Sequence, residues 1–350
     1  MSSATGQAPS AMKVAAAFTT VYLVWGSTYF AIRVSLEHIP PMLVGGLRYL
    51  LAGILMLLWC LITKEKIFSW RVMRPAIVSG LLLLLIGNGG LIWAEQYVPS
   101  SLAAILLAAG PVWFVVLDKG KWKENLRSKA TIAGLVVGSV GVLMLFGEQL
   151  AGESGGGVGA GGAGTGTAGG AGAGAGAGTT GGSSMAVIAL VVLVLAGISW
   201  AAGSLYSKYK AAGNSNAVNA GWQMMAAGIA FIPCSLLRGE WSHFRPQEVT
   251  MSSWLAIAYL VTFGSLLGYS AFVWLLQVRP ATQVSTHAYV NPVVAVLLGV
   301  MFAGEQLSFL QLLGLMVILG SVLLINLAKY RAATSGKTRH PDLDRRYFIR

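Results

Sequence analysis

The side chains best suited to chemistry inside the apolar part of this chain are His287 and Asn291. They stand four positions apart, so a helix would place them on one face. His287 is the only one of the four histidines that falls within an apolar run. An imidazole in that setting could bond to a neighbouring helix, contact a bound molecule or carry a proton, and the sequence leaves these three alternatives open. No second ligand lies at helical spacing, so we expect neither a metal site nor a cofactor.

Carboxylates are placed in a way that excludes several functions. None of the twelve Asp and Glu residues falls in the middle third of an apolar run. Ion-coupled carriers usually keep a carboxylate inside the membrane, so coupling of this kind is disfavoured, while a uniporter, an exchanger or another titratable group stays open. An enzyme would need acids, bases or nucleophiles clustered together, and we assign no catalytic residue.

A phosphate-binding loop of the Gly-x4-Gly-Lys type is also missing from the sequence, which disfavours transport driven directly by ATP.

The elements that must position these residues are long apolar segments. Hydrophobic residues make up 55% of the 350 residues and charged residues 10%, whereas soluble domains carry about 25% charged residues. A bilayer core of about 30 Å needs roughly 20 apolar residues per helix. We predict an all-α membrane protein with ten transmembrane helices, at residues 14–34, 42–62, 75–94, 101–117, 130–147, 186–206, 217–237, 252–275, 284–302 and 309–328.

Positive charge is distributed unevenly among the predicted loops. Twenty of the 24 Lys and Arg residues fall on the side of the N-terminus, three fall on the other side, and Arg48 lies within a span. The positive-inside rule then places both termini in the cytoplasm of a bacterial-type inner (plasma) membrane. Topology accounts for the net charge of +12, so we expect no nucleic-acid partner. The expected partners are a small-molecule solute and the lipid bilayer, and the sequence does not define an oligomeric state.

The chain contains an internal repeat. A shift of 181 positions superposes identical residues, and a shift of 175 does the same nearer the N-terminus. The matched pairs include Gly87 with Gly268, Trp93 with Trp274, Pro111 with Pro292, Trp25 with Trp200, and Ala52–Ile54 with Ala227–Ile229. Two halves with five spans each must be inverted in the membrane, and carriers built in this way bind solute near the bilayer midplane. We therefore predict two inverted five-helix repeats around a central cavity.

Glycines and prolines recur at equivalent positions of the two halves. The stretches 87–90 and 264–268 are rich in glycine, and paired interruptions of this kind point to a carrier's site, although simple helix packing also uses glycine. An internal proline would leave the carbonyl group four residues earlier without its donor. We predict hinges at Gly87, Pro111, Gly268 and Pro292.

Aromatic and polar residues within the apolar runs are candidates for a cavity lining. Trp25 and Trp200 lie far from the ends of their runs, so they are expected either to form cavity walls or to pack between the repeats. The predicted substrate cavity comprises Trp25, Tyr29, Asn88, Trp93, Trp200, Ser204, Tyr269, His287, Tyr289 and Asn291. Arg48 lies about 10 Å from the outer end of its helix. We expect it to extend to the outer interface, with contact to an anionic solute group as the alternative.

The domain organisation follows from these segments. Residues 151–184 are rich in Gly and Ala, and a disordered linker is favoured there over a binding loop. The C-terminal residues are basic, and a disordered topology anchor is favoured over a lipid-binding tail. The predicted divisions are 1–13, a cytoplasmic N-terminus; 14–150, the first repeat; 151–184, the linker; 185–328, the second repeat; and 329–350, a basic cytoplasmic tail.

The segment Trp25-Gly26-Ser27-Thr28-Tyr29-Phe30-Ala31-Ile32-Arg33 resembles the EamA group of the drug/metabolite transporter superfamily. The two proline-centred helices and Gly304-Glu305 add to the resemblance, which covers roughly residues 14–147 and 186–328. It implies a basket of ten helices around a cavity lined by helices one, three, four, six, eight and nine, and export of amino acids, related metabolites or drugs. The chain departs from the family pattern at Leu117-Asp118-Lys119-Gly120, where the family often has a Gly-Glu pair.

These observations together predict a transporter that exports small organic solutes by alternating access and is not an enzyme. A facilitative channel or uniporter is the first alternative, and a membrane-embedded lipid-modifying enzyme is the second. A sugar-phosphate or nucleotide-sugar substrate would need more intramembrane Lys and Arg than Arg48 alone.

Overall fold

The computed structural model describes residues 10–98, 103, 106–154, 181–211, 215–303 and 308–337. These residues form helices joined by short turns, and no strand occurs among them, so the all-α prediction is confirmed for this part of the chain. The longer helices are α1 (Ala11–Leu36), α2 (Pro41–Ile62), α3 (Trp70–Ala94), α4 (Leu106–Leu117), α5 (Lys129–Ser154), α6 (Gly181–Lys210), α7 (Asn216–Leu237), α8 (Met251–Val278), α9 (His287–Ala303) and α10 (Phe309–Lys337).

Six of these helices are long and apolar enough to cross a membrane, namely α1, α2, α3, α6, α7 and α8. A seventh candidate is the pair Lys119–Arg127 and Lys129–Met144, which is bent by 90°. Large apolar side chains point outward from several helices; Trp59 of α2, for example, is 60% exposed. An apolar exterior of this kind suits contact with lipid chains. The described residues therefore have the character of a helical membrane protein.

The glycine-rich stretches of α3 and α8 do not break their helices. Each helix continues through a π-helical segment, at Leu81–Asn88 in α3 and Leu260–Tyr269 in α8. A π-helical turn takes in one more residue per hydrogen bond than an α-helical turn and is frequent at functional sites. The expected interruption is thus replaced in both helices by a locally widened turn.

The two matched prolines have different settings. Pro292 lies inside α9, as expected. Pro111 does not, because a turn at Ala109 divides α4 and the regular helix begins at Gly110. A proline in the first turn of a helix removes no intrahelical hydrogen bond. The prediction that Pro111 interrupts a helix from its interior is therefore wrong.

Two segments predicted to be disordered are partly helical. Residues 151–154 and 181–184 of the predicted linker belong to the ends of α5 and α6, and the rest of the linker, 155–180, lies outside the described residues. Residues 329–337 of the predicted tail continue α10, while 338–350 lie outside. Gly304 and Glu305 also fall outside the description.

Helices α2 and α7 pack against each other through a reciprocal pair of glycine contacts. A methyl group added at Gly53 would lie 2.6 Å from the backbone nitrogen of Met225, and one added at Gly228 would lie 2.5 Å from that of Leu50. Gly53 and Gly228 correspond under the shift of 175 positions, and so do Leu50 and Met225. Small residues allow helix backbones to approach this closely in a membrane.

We expect Gly228→Ala to destabilise the protein by about 1–3 kcal/mol, because the added methyl group must displace the backbone of α2. Gly320→Ala is the matched control, since nothing lies within 4 Å of a methyl group at that position of α10. Thermal unfolding of the two purified variants in detergent provides the comparison. Equal melting temperatures for the two would contradict a backbone contact at Gly228.

Candidate functional site

A cavity of about 90 Å³ lies between seven of the helices. Its walls come from α1, α2, α3, α4, α6, α8 and α9. Seven of the ten predicted cavity residues are in this lining, namely Trp25, Tyr29, Asn88, Trp200, Tyr269, His287 and Asn291. Helix α2 was not expected to take part, yet it contributes Arg48 and Tyr49.

The other three predicted cavity residues face elsewhere. Trp93 packs against Tyr97, with ring centroids 4.9 Å apart. The hydroxyl group of Ser204 donates to the carbonyl oxygen of Trp200 one turn earlier, at 2.7 Å. Tyr289 is fully buried and donates to the carbonyl oxygen of Leu135 on α5, at 3.2 Å. The structure does not bring these three side chains to the cavity.

Four aromatic side chains from different helices pack together, and three of them, Trp25, Trp200 and His287, line the cavity. The Trp25 ring lies edge-on to the rings of Trp200 and His287, with centroid distances of 5.4 and 5.0 Å. Phe272 completes the group at 4.9 Å from Trp25 and 5.4 Å from His287. Edge-to-face packing places the positive edge of one ring against the negative face of another and stabilises the arrangement. We call these four residues the aromatic cluster.

Each tryptophan of the cluster is seated against a glycine of a π-helical segment. A methyl group at Gly268 would lie 2.8 Å from Nε1 of Trp25, and one at Gly87 would lie 3.2 Å from Cε3 of Trp200. The two pairs correspond under the sequence shifts that relate the halves. Gly87 and Gly268, predicted as hinges, thus also provide the space in which the indole rings sit.

The two indole N–H groups differ in their hydrogen bonding. Nε1 of Trp25 donates to the carbonyl oxygen of Gly264 at 3.1 Å. Nε1 of Trp200 has no hydrogen-bond partner within the described ranges, although the atom is buried. The amide oxygen of Asn88 is buried without a partner in the same part of the chain. Both atoms lie on residues of the lining and offer one donor and one acceptor to a bound molecule.

His287 makes a local hydrogen bond, not one to a neighbouring helix. Its Nδ1 atom lies 3.0 Å from the carbonyl oxygen of Val284, three residues earlier, and must carry the proton because a carbonyl group only accepts. When the ring is neutral, its Nε2 atom is therefore an acceptor. Of the alternatives left open by the sequence, a bond to another helix is wrong, and contact with a bound molecule fits the position of His287 in the lining.

Tyr269 lines the cavity, but its hydroxyl group is engaged in a buried polar network. It donates to the side-chain oxygen of Gln223 at 2.7 Å. The Gln223 nitrogen in turn donates to Ser79 at 2.8 Å and to Ser207 at 2.9 Å. This network joins helices α3, α6, α7 and α8.

Arg48 does not extend to the membrane interface. Its side chain is 4% exposed, and its Nε group donates to the hydroxyl oxygen of Ser265 on α8, at 2.9 Å. The guanidinium carbon lies 4.9 Å from the centroid of the Tyr49 ring. The expectation that Arg48 snorkels is therefore wrong. Sequence position alone did not reveal this, because the space for the guanidinium group depends on a glycine of another helix, Gly264.

Side chains at the end of α6 tie together the ends of three helices. Lys208 donates from Nζ to the carbonyl oxygen of Leu276, and to that of Arg279 at 2.7 Å. The hydroxyl group of Tyr209 donates to the carboxylate of Asp118 at 2.7 Å. Asp118 is 4% exposed and follows α4, in the segment where this chain departs from the family pattern. We call these contacts the α6 end tie.

Comparison with known proteins agrees with this architecture. The profile of the EamA-like transporter family matches residues 12–147 and 187–327. A protein of Escherichia coli (strain K12) named "Uncharacterized inner membrane transporter YedA" is 34% identical over 322 residues, which cover 90% of each chain. A "Probable amino-acid metabolite efflux pump" of Salmonella typhimurium is 26% identical over 335 residues, covering 91% of this chain and 95% of that protein.

A solved crystal structure shares the fold, with a TM-score of 0.67 and 19% sequence identity, and the alignment covers 92% of this chain and 99% of that chain. The family match covers two segments that together make up most of the sequence. The predicted assignment as a membrane transporter for small solutes is confirmed by the family. The chain belongs to the EamA-like transporter family.

Proposed function

We propose that the protein exports small organic solutes, such as amino acids, related metabolites or drugs, across an inner (plasma) membrane by alternating access. The observation that carries the proposal is the cavity between the helices, whose lining includes Trp25, Trp200 and His287 of the aromatic cluster. A mainly apolar pocket with a few convergent polar groups is the usual form of a small-molecule site. The name of the Salmonella relative, "Probable amino-acid metabolite efflux pump", supports the direction and the solute class.

The proposed architecture has ten transmembrane helices in two inverted halves, with both termini in the cytoplasm. Two reciprocal sets of contacts support it. Gly53 and Gly228 exchange equivalent contacts between α2 and α7, and the two tryptophans rest on equivalent glycines. Contacts that are repeated between matched residues of the two halves are expected when two similar halves are related by a two-fold axis.

The proposed topology also orients the cavity. The lining residues of α1 and α3 lie in the later parts of these helices, and those of α2 lie in its first half, which the proposed topology places toward the outside. The α6 end tie lies at the cytoplasmic end of α6 in the same topology. The lining residues of α8 and α9, namely Tyr269, His287, Ala288 and Asn291, lie toward the cytoplasmic side in this topology. The lining as a whole therefore supports a site near the middle of the proposed bilayer.

Solute exchange in liposomes tests the proposed mechanism. We expect saturable uptake of at least one amino acid, aromatic metabolite or cationic drug, and faster uptake when the same solute is present on the far side, because a carrier returns faster when loaded. A channel would show flux without this acceleration. Turnover of a lipid by the purified protein, without solute uptake, would support the enzyme alternative.

Trp200→Ala should lower uptake about 3- to 10-fold, since it removes edge-to-face contacts worth roughly 0.5–1.5 kcal/mol. Trp59→Ala provides the control, because Trp59 is exposed on α2 and is not among the lining residues. Initial uptake rates are compared at equal amounts of reconstituted protein. If both variants transported like the wild type, the cavity would not be the solute site.

Removal of residues 160–174 should leave the uptake rate within about twofold of wild type, since loop length changes closure entropy only slowly. The deletion keeps the helical ends at Ser154 and Gly181. Loss of transport at normal expression would show that the Gly/Ala-rich stretch takes part in solute binding.

A further inference from the structure

Arg48 places a positive charge inside the membrane-spanning part of the protein without an opposing carboxylate. The side chain is 4% exposed. Among the described residues the ion pairs are Lys121 with Glu124 and Arg238 with Glu240, so Arg48 belongs to none. A guanidinium group stays protonated in proteins and cannot relieve its burial by losing a proton. Buried charges of this kind are rare in membranes and mark functional sites by default.

The hydrogen-bonding capacity of Arg48 is only partly used. Of its donors, Nε is bound to Ser265, while Nη1 is buried and has no partner in the described part of the chain. The space around the guanidinium group is created by Gly264, where a methyl group would lie 3.0 Å from Nη2. The ring of Tyr49 supplies a face but no acceptor for the N–H fork. A planar fork with free donors matches the geometry of a carboxylate.

The position equivalent to Arg48 in the second half carries a neutral residue. The shift of 175 positions relates Arg48 to Gln223. Gln223 is fully buried, accepts from Tyr269 and donates to two serine hydroxyl groups. A neutral residue with all its groups satisfied thus serves the structural role at this position. Helix packing at this position therefore does not require a charged residue, so the charge of Arg48 is available for another role.

The other lining residues indicate what kind of molecule could bind beside Arg48. Arg48 lines the same cavity as Trp25, Trp200 and His287, and the lining is mainly apolar and aromatic. A molecule that reaches both Arg48 and these rings needs an anionic group at one end and an apolar or aromatic body at the other.

We propose that Arg48 binds the carboxylate of the transported solute, and that the preferred solutes are monocarboxylates with an apolar or aromatic body. This inference rests on the proposed function and names the substrate class of its site. Arg48 is then the residue that determines specificity for the anionic group.

Binding to the purified full-length protein in detergent tests this assignment. The probes are paired carboxylates and amides with the same body: 3-phenylpropionate with 3-phenylpropionamide, and 4-methylpentanoate with 4-methylpentanamide. Calorimetry covers concentrations up to about 10 mM, tenfold above the usual upper range of KM values. We expect the wild type to bind the carboxylate of each pair more tightly than the amide.

Arg48→Gln introduces the residue found at the equivalent position of the second half. It should weaken carboxylate binding about 10- to 100-fold, as expected for loss of a charge-assisted hydrogen bond, and should leave amide binding unchanged. Arg48→Lys keeps the charge and should retain part of the preference. Arg33→Gln is the matched control, since Arg33 is an exposed arginine of α1. A purely structural role would weaken both members of each pair alike.

The assignment would be overturned if folded Arg48→Gln bound carboxylates as the wild type does, or if the wild type showed no preference for them at any concentration used. Should Arg48→Gln fail to fold, the ratio of carboxylate to amide affinity measured for Arg48→Lys decides.

Uptake of the same probes into liposomes separates the Arg48 assignment from the proposed transport function. Carboxylate binding without uptake would support the Arg48 site and count against transport of these solutes, whereas uptake of amides alone would support transport and overturn the assignment.

Discussion

Two indole rings can meet at the centre of this molecule only because a glycine lies beside each of them. Trp25 rests on Gly268 and Trp200 on Gly87; an added methyl group would overlap the Trp25 ring at 2.8 Å and crowd the Trp200 ring at 3.2 Å. The aromatic cluster follows from this arrangement, because Phe272 and His287 pack against the rings thus placed. The cavity lies beside the cluster, so its position depends on the same two contacts.

The sequence predicted these contacts to a useful extent. Identical residues at fixed shifts identified both tryptophans and both glycines, because residues that serve one purpose in two similar halves are retained at equivalent positions. Long apolar runs predicted the helices for the same elementary reason, since a chain in lipid must satisfy its backbone groups internally. The π-helical turns were not predicted, because no residue pattern separates them from a simple helix interruption.

Other features depend on which face of a helix meets a neighbour, and the sequence does not contain this directly. Trp93 and Tyr289 lie in the same apolar runs as the cavity residues Asn88 and His287, yet they pack away from the cavity. Arg48 was expected to reach the interface from its distance to the helix end. Its burial depends instead on Ser265 and Gly264, which are distant in sequence. Tertiary packing overrode the local expectation in each case.

The seam between α2 and α7 has a mechanical consequence. It joins one helix from each predicted half at backbone contact. The end of the seam where α2 begins is held by Glu240, whose carboxylate accepts from the N–H groups of Met42 and Leu43 at 3.2 and 3.0 Å. Sliding of one helix along the other would bring the backbone of Leu50 against Gly228. Rotation about the line of contact is the movement that keeps these distances. If the two proposed halves rock against each other, the line of contact between α2 and α7 is therefore an axis that leaves these backbone contacts intact.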